Sequence, residues 1–340
     1  MHYYRKKANS PMKSAIYYTK NLDPWHNLAM EEYLLQKVEK QQILFFLWQN
    51  ENTVVIGKNQ NPWKECSFTL LEKEGGKLAR RISGGGAVFH DTGNLNFSFL
   101  VDKDMYNLSK QLEVILGAVR SLGIEAQFQG RNDLIAQGKK FSGNAFCFRT
   151  QSALHHGTIL LSADMSKLTR YLQVSPEKIR SKGIDSVRSR VVNLTEFKKD
   201  LTVDLMTQSL MASFEKIYGS NATLYQENSI AREDIEPFYQ KQSSWEWRYG
   251  EAPHFDIELS NTFSWGSIDV CLKVNNARIS QSIVYSDAMD EAFIQAIGEI
   301  LKGCKLHAQD ITKCIQDFPW EKEKREMAQE IALWLEKKEF

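Results

Sequence analysis

The chain has 340 residues, with 43 Lys and Arg against 42 Asp and Glu, a formal net charge of +1 at pH 7, and 42% hydrophobic residues. That length can hold two domains and a sizeable core, and the balanced charge excludes a global basic field for nucleic acid. No apolar run approaches the roughly 20 residues that span a bilayer, and no apolar signal-peptide segment follows the basic N-terminus. The expected setting is cytoplasmic, with no membrane and no nucleic acid as partner. Five cysteines, Cys66, Cys147, Cys271, Cys304 and Cys314, contain no C-x-x-C pair. They predict reduced, buried thiols, without a disulfide framework or a structural zinc site.

In chain order, Asp23-Pro24 reads as a helix cap followed by a first-turn proline. Leu28, Leu34, Leu35 and Val38 then fall close to helical spacing, with Glu31 on or near that face as a solvated or paired charge. The apolar runs 43–48 and 53–57 flank Asn50-Glu51-Asn52 and predict a hairpin of buried strands. Trp48 at its tip either lines a pocket or packs in the core.

Residues 80–91, RRISGGGAVFHD, form the most informative stretch. Two guanidinium groups precede a hydroxyl and three glycines. Glycine frees backbone N–H groups to face a ligand, and arginine offers a planar charged fork for phosphate oxygens. The stretch is either a floor for a phosphorylated ligand or a hairpin turn with solvated arginines. It is neither a Walker loop nor a G-x-G-x-x-G turn.

Residues 94–101 alternate, with Phe97, Phe99 and Val101 on one face. Leu108, Leu112, Ile115, Leu116, Val119 and Leu122 predict an amphipathic helix closed by Gly123. Residues 130–135 (GRNDLI) and 140–145 (KFSGNA) face each other across a turn at Gln137-Gly138-Lys139. In 154–161 (LHHGTILL), neighbouring strand histidines must point to opposite faces, which makes them a poor metal pair. Residues 182–191 form a basic loop, and helices are expected over 168–173, 175–181 and 203–218. Beyond an aromatic boundary at 243–253, a hairpin around Asn275-Asn276 and helices near 288–302, 308–317 and 321–338 predict a small α+β module.

Taken together, these blocks resemble the lipoate–protein ligase family. The resemblance rests on RRISGGGAVFHD, on GRNDL (130–134), KFSGNA, HHGTIL (155–160) and KGIDSVRSRV (182–191), and extends to NPWKEC (61–66), QSSWEW (242–247) and the tail from residue 262. It implies an α/β (α+β) fold: a mixed-sheet catalytic domain like that of biotin ligases over residues 14–250, and a small α+β accessory domain over 255–340. Residues 1–13 lie outside it and carry no assigned role.

The chemistry implied has two steps. A lipoate carboxylate attacks the α-phosphate of ATP to give lipoyl-AMP. The ε-amine of an acceptor lysine then displaces AMP. The implied acceptors are glycine-cleavage H protein or the E2 subunits of 2-oxoacid dehydrogenases, with octanoate as a possible second acyl substrate and a place in lipoate scavenging. Lys140 matches the family's essential lysine, and Arg81, Lys140 and Mg²⁺ would neutralise the anionic reactants. Ser83, Gly84, Gly85 and Gly86 would supply backbone donors, with Ala87, Val88 and Phe89 along the nucleotide. Asn132 and Asp133 would hold adenylate groups, Asp133 also the metal. Lys182 and Gly183 would close over the adenylate. Trp48, Val88, His90, Lys140, Gly143 and His156 would line the acyl slot.

The nearest rival is an octanoyl- or lipoyl-transferase, which needs a nucleophilic cysteine. The corresponding loop position carries Lys182, which cannot form a thioester, and Cys147 is the only cysteine near the expected site in sequence. A biotin–protein ligase is the second rival, but its usual Gly-Arg-Gly-Arg signature is absent. A non-catalytic lipoate-binding paralogue is a further alternative, against which Arg81, Lys140 and the glycines argue.

Overall fold

The computed structural model describes residues 12–130, 132–172, 191–225, 229–250 and 255–338. The chain forms two compact units, neither continuous in sequence. The first gathers Met1–Asn52, His90–Met165 and Glu177–Gln242, and the second Thr53–Phe89, Ser166–Pro176 and Ser243–Phe340.

The first unit is built on an eight-stranded mixed sheet. Its strands are β1 (Lys13–Tyr18), β2 (Gln42–Trp48), β6 (Asn94–Asp102), β7 (Ala126–Gln129), β8 (Asp133–Ala136), β9 (Lys139–Phe148), β10 (Ser152–Leu160) and β11 (Thr223–Tyr225). The spatial order is β11-β1-β2-β6-β10-β9-β8-β7. β1 runs parallel to β2 and β11, whereas β2, β6, β10, β9, β8 and β7 pair antiparallel. Strand alternation sends Phe45, Phe97 and Phe99 into one core with the apolar faces of helices α4 (Leu108–Ser121) and α6 (Val203–Tyr218). Both helices match the spacing-based expectations, and the α6 bounds coincide with residues 203–218. Phe45 stacks on Phe99 at 4.6 Å and on Phe214 at 5.0 Å.

The opposite face of the same strands carries Phe46, Trp48, Asn96, Ser98 and His156, and meets helix α1 (Pro24–Lys37). Asp23 caps α1 by accepting from the Trp25 N–H at 3.3 Å, and Pro24 sits in its first turn, as the sequence indicates.

The second unit contains two three-stranded sheets. One has the order β4-β3-β5, formed by β3 (Thr53–Ile56), β4 (Lys77–Arg80) and β5 (Val88–His90), with β3 parallel to β4. The expected hairpin of runs 43–48 and 53–57 is therefore corrected: β2 and β3 join different sheets. A continuous apolar run marks a buried strand but does not name its partner. The other sheet is antiparallel, β12 (Ile257–Phe263), β13 (Gly266–Asn275) and β14 (Arg278–Ser286), and packs on α9 (Glu291–Leu301), α10 (Ala308–Gln316) and α11 (Arg325–Glu336). Asn276 at φ +49° makes the expected turn.

Cys66, Cys147 and Cys271 are buried thiols, as expected. Cys304 and Cys314 are instead joined as a disulfide, which corrects the expectation that the cysteines stay reduced. Their separation of 10 residues spans the end of α9 to α10, and no spacing rule singles out such a pair. Among the described residues no helix is long and apolar enough to cross a membrane.

Candidate active site

The expected site residues fall in both units. In the first, the face of the sheet opposite the aromatic core collects Trp48, Asp133, Lys140, Gly143 and His156. A register irregularity between Leu134 and Ile135 pairs Leu134 with Ser142 but Ile135 with Lys140. Phe141 is the extra residue, and its insertion turns Lys140 onto the face occupied by Gly143 and Asp133. The Lys140 Nζ lies 2.7 Å from Asp133 Oδ1, both side chains remaining about a third exposed (34% and 38%). A Cβ on Gly143 would stand 3.0 Å from Lys140 Nζ, so glycine leaves the ammonium its place over the strand.

A buried polar chain runs beside them. Trp48 Nε1–H donates to Ser98 Oγ at 3.0 Å, Ser98 O–H donates to Glu31 Oε1 at 2.5 Å, and His156 Nδ1 meets the same carboxylate oxygen at 2.8 Å. Glu31 is 1% exposed, which corrects its reading as a solvated charge and selects the paired one. A carboxylate can be buried here because it accepts from two donors at once. The carboxylate also sets the His156 tautomer, placing a proton on Nδ1. His90 stands edge-on to Trp48 at 6.3 Å, and its Nδ1 is 3.2 Å from Asn50 Nδ2.

His155 points the other way, as alternation requires. Its ring lies between Gln111 Oε1 and Asn144 Oδ1, each 2.9 Å away, and burial pushes its pKa down to about 3, with neighbouring His156 adding to the shift. The imidazole is neutral, so one nitrogen must accept. Turning the Gln111 amide, whose Nε2 otherwise has no partner among the described residues, supplies the donor. Asn144 in turn clasps Asn132: the Asn144 N–H and Nδ2 donate to Asn132 O at 2.9 and 2.8 Å, and Asn132 Nδ2 donates to Asn144 O at 3.0 Å. The Asn132 side chain thus pins its turn to β9 next to Asp133.

In the second unit the glycine stretch is a tight loop between β4 and β5. Arg81 is 6% exposed and donates to the loop itself: Nε to Ser83 Oγ at 3.1 Å, the Nη2 group to Gly84 O at 2.7 Å and Gly86 O at 2.8 Å, and the Nη1 group to Val55 O at 3.3 Å. The fork expected for phosphate here shapes the loop. Arg80 is a second clamp, bonding the carbonyls of Gly57, Lys58, Gln60, Trp247 and Arg248, which corrects the reading of solvated arginines. Burial lowers its pKa to about 10, still far above neutrality.

Gly85, at φ +90°, donates its N–H to Ala288 O at 3.1 Å, and a Cβ on Gly84 would come within 2.4 Å of that oxygen. Ser83 is fully buried. Phe89 packs against Tyr171 at 5.5 Å within an apolar cluster that Ala87 also flanks, leaving Phe89's backbone for any nucleotide contact. Val88 is half-buried. Lys182 and Gly183 lie outside the described residues, as do most of the expected basic loop and the expected helix over 175–181.

Among the described residues no group of three or more His, Cys, Asp or Glu could hold a metal ion. Asp133 offers one carboxylate, already beside Lys140. That suits Mg²⁺ arriving on a nucleotide, which typically takes only one or two protein carboxylates. Cys147 is 1% exposed in β9, a poor position for a nucleophile.

Residues 23–215 match the family described as lipoyl protein ligase A/B catalytic domain, and 252–335 that described as bacterial lipoate protein ligase C-terminus. The chain is 40% identical over 308 residues to lipoate-protein ligase A of Psychrobacter cryohalolentis, covering 88% of this chain and 89% of that protein. The P. falciparum LipL1 structure in complex with lipoate matches with a TM-score of 0.84 at 29% identity, over 97% of this chain and all of that one. An ATP-bound lipoate-protein ligase A structure matches at 0.60 and 25% identity, over 70% and 99% of the two chains.

Proposed function

Since this chain belongs to the lipoate–protein ligase family and is an ATP-dependent ligase of lipoate to protein, we propose that it works through a lipoyl-AMP intermediate with Lys140 as its central electrostatic group. The observation that carries this reading is the bulge that brings the Lys140 ammonium over Gly143 and beside Asp133. A fixed positive charge suits both half-reactions: the first builds negative charge on the α-phosphate oxygens, the second on the carbonyl oxygen and then on the departing phosphate. Lys140 acts as a charge stabiliser and not as a nucleophile.

Trp48, His90, Gly143 and His156 line the acyl chain's path in the first unit, the Glu31 carboxylate holding His156 in register. Residues 83–89 hold the nucleotide through backbone donors, with Val88 as an apolar wall; Arg81 contributes by keeping the loop's carbonyls turned to itself. Asn132 and Asp133 meet the adenylate; the roles that the resemblance implies for Lys182 and Gly183 fall on residues outside those described. Asp133 would hold a Mg²⁺ ion carried by ATP, and that ion would supply neutralisation of phosphate charge. We assign residues 14–250 to the catalytic module and 255–340 to the accessory one, a division supported by the spans of the two family matches; the compact units divide differently, grouping Thr53–Phe89 and Ser166–Pro176 with Ser243–Phe340. The acceptor is the lysine of an H protein or an E2 lipoyl domain, in the cytoplasm, as part of lipoate scavenging.

The test is intact-mass measurement of an apo lipoyl domain and an apo H protein incubated with the protein, lipoate and Mg²⁺, with and without ATP. The expected result is lipoyl addition only with ATP. Addition without ATP from an acylated carrier would point instead to transfer through a thioester.

A further inference from the structure

The face that carries Lys140 holds one polar group that the reaction does not use. Asn96 is 1% exposed, and its Nδ2 has no hydrogen-bond partner among the described residues. Its Oδ1 is engaged, accepting from Asn94 Nδ2 at 2.9 Å, and Asn94 Oδ1 is likewise without a partner among the described residues. As placed, Asn96 presents the free donor and Asn94 the free acceptor; turning both amides would move the free donor to Asn94 and leave Asn96 with a free oxygen. A buried donor of this kind is rare in a folded protein and calls for an acceptor that arrives with a ligand or a water.

Its place on the sheet says which part of a ligand it would meet. Asn96 pairs with Trp48 on one side and Thr158 on the other, and Thr158 Oγ1 accepts from the Gly143 N–H at 3.3 Å. Lys140 stands over Gly143. Asn96 therefore lies two strand spacings, about 10 Å, from the position of the ammonium. A carboxylate held at Lys140 with an extended eight-carbon chain running along this row places its far end at Asn96. Lipoate and octanoate differ at that end: lipoate carries two ring sulfurs, which are weak hydrogen-bond acceptors, and octanoate only hydrocarbon.

We propose that Asn96 is a specificity-determining residue of the acyl slot, donating to a dithiolane sulfur and so favouring a sulfur-bearing ring over an all-carbon tail. This deepens, and rests on, the ligase reading of the same site. A hydrocarbon end would cover the donor and leave it unpaired. The discrimination is modest, because sulfur accepts weakly.

The experiment compares lipoate with 5-cyclopentylpentanoate, in which two methylenes replace the sulfurs, in the full-length parent and in Asn96→Leu. Dissociation constants come from calorimetry, and kcat/KM from acid-dependent ATP–pyrophosphate exchange. The parent is expected to prefer lipoate, and Asn96→Leu to shrink that preference about three- to tenfold, with octanoate gaining in parallel. Asn96→Ser, which leaves no amide and adds no bulk, repeats the comparison should the leucine variant fold poorly. An unchanged lipoate-to-carbocycle ratio in the folded variant overturns the proposal and leaves a buried water as the partner of Asn96. Exchange absent in a parent that binds lipoate would contradict the ligase reading, whereas the binding ratio still decides the role of Asn96.

Discussion

The Lys140 ammonium lies 2.7 Å from the Asp133 carboxylate, and both side chains keep about a third of their surface in solvent. A pair this exposed contributes little to stability. Its value lies in placement: Asp133 holds the lysine over Gly143.

Lys140→Ala is therefore expected to fold with an unchanged melting temperature and to lose adenylate formation by a factor of about 10² or more, the scale typical of removing one preorganised charge stabiliser. Single-turnover formation of lipoyl-AMP measures it. A folded Lys140→Ala variant with near-parental rates would remove Lys140 from the mechanism.

Glu31 is hydrogen-bonded to His156 and, through Ser98, to Trp48, so on the proposed function it is a positioning residue. Glu31→Gln keeps size and one acceptor but alters which proton His156 can offer. The expected effect is a rise in KM for lipoate of about tenfold, with KM for ATP unchanged. Equal effects on both constants would mean that Glu31 only supports the fold.

Arg80 binds five backbone carbonyls from inside the second unit. Arg80→Ala leaves buried oxygens without donors and is expected to lower stability by about 3 kcal/mol or more. Urea denaturation followed by tryptophan fluorescence reads this directly, since Trp247 lies in the same cluster: its Nε1–H donates to Arg80 O at 2.9 Å. A loss below about 1 kcal/mol would show that water replaces the guanidinium at little cost.

His155 sets a pH dependence. Its pKa falls from 6.5 to about 3 on folding, so the unfolded chain binds the extra proton. Stability from this group is present above pH 6.5 and is lost as pH falls toward 3. Each unit corresponds to about 1.4 kcal/mol, giving roughly 2 kcal/mol between pH 6.5 and 5. His155→Gln, which keeps hydrogen-bonding capacity without titrating, is expected to flatten the slope of the urea midpoint across that range. An unaltered slope would place the titration elsewhere.

The candidate site's local parts were legible from its letters, because they sit in contiguous motifs: KFSGNA contains both Lys140 and the Gly143 that makes room for it. Histidine alternation in β10 followed from strand geometry alone. What the sequence hid was long-range. Glu31 meets His156 across 125 positions, and a carboxylate on a helix face gives no sign of the strand that will bury it. The Arg81 fork was legible as a cation near glycines, but not that it would turn inward, since loop carbonyls as well as phosphate oxygens accept from a guanidinium. β2 and β3 read as a hairpin because apolar runs specify burial and leave the partner open. The Cys304–Cys314 bond depends on how α9 and α10 meet, which no spacing encodes.

The central claim is that lipoate is activated as an adenylate on this protein before any acceptor arrives. Lipoate-dependent exchange of labelled pyrophosphate into ATP, measured with no acceptor protein present, tests it most directly. The account predicts exchange that requires lipoate and disappears in Lys140→Ala. Absence of exchange in protein that nevertheless lipoylates an acceptor would contradict a free-standing adenylate and require a concerted or thioester route.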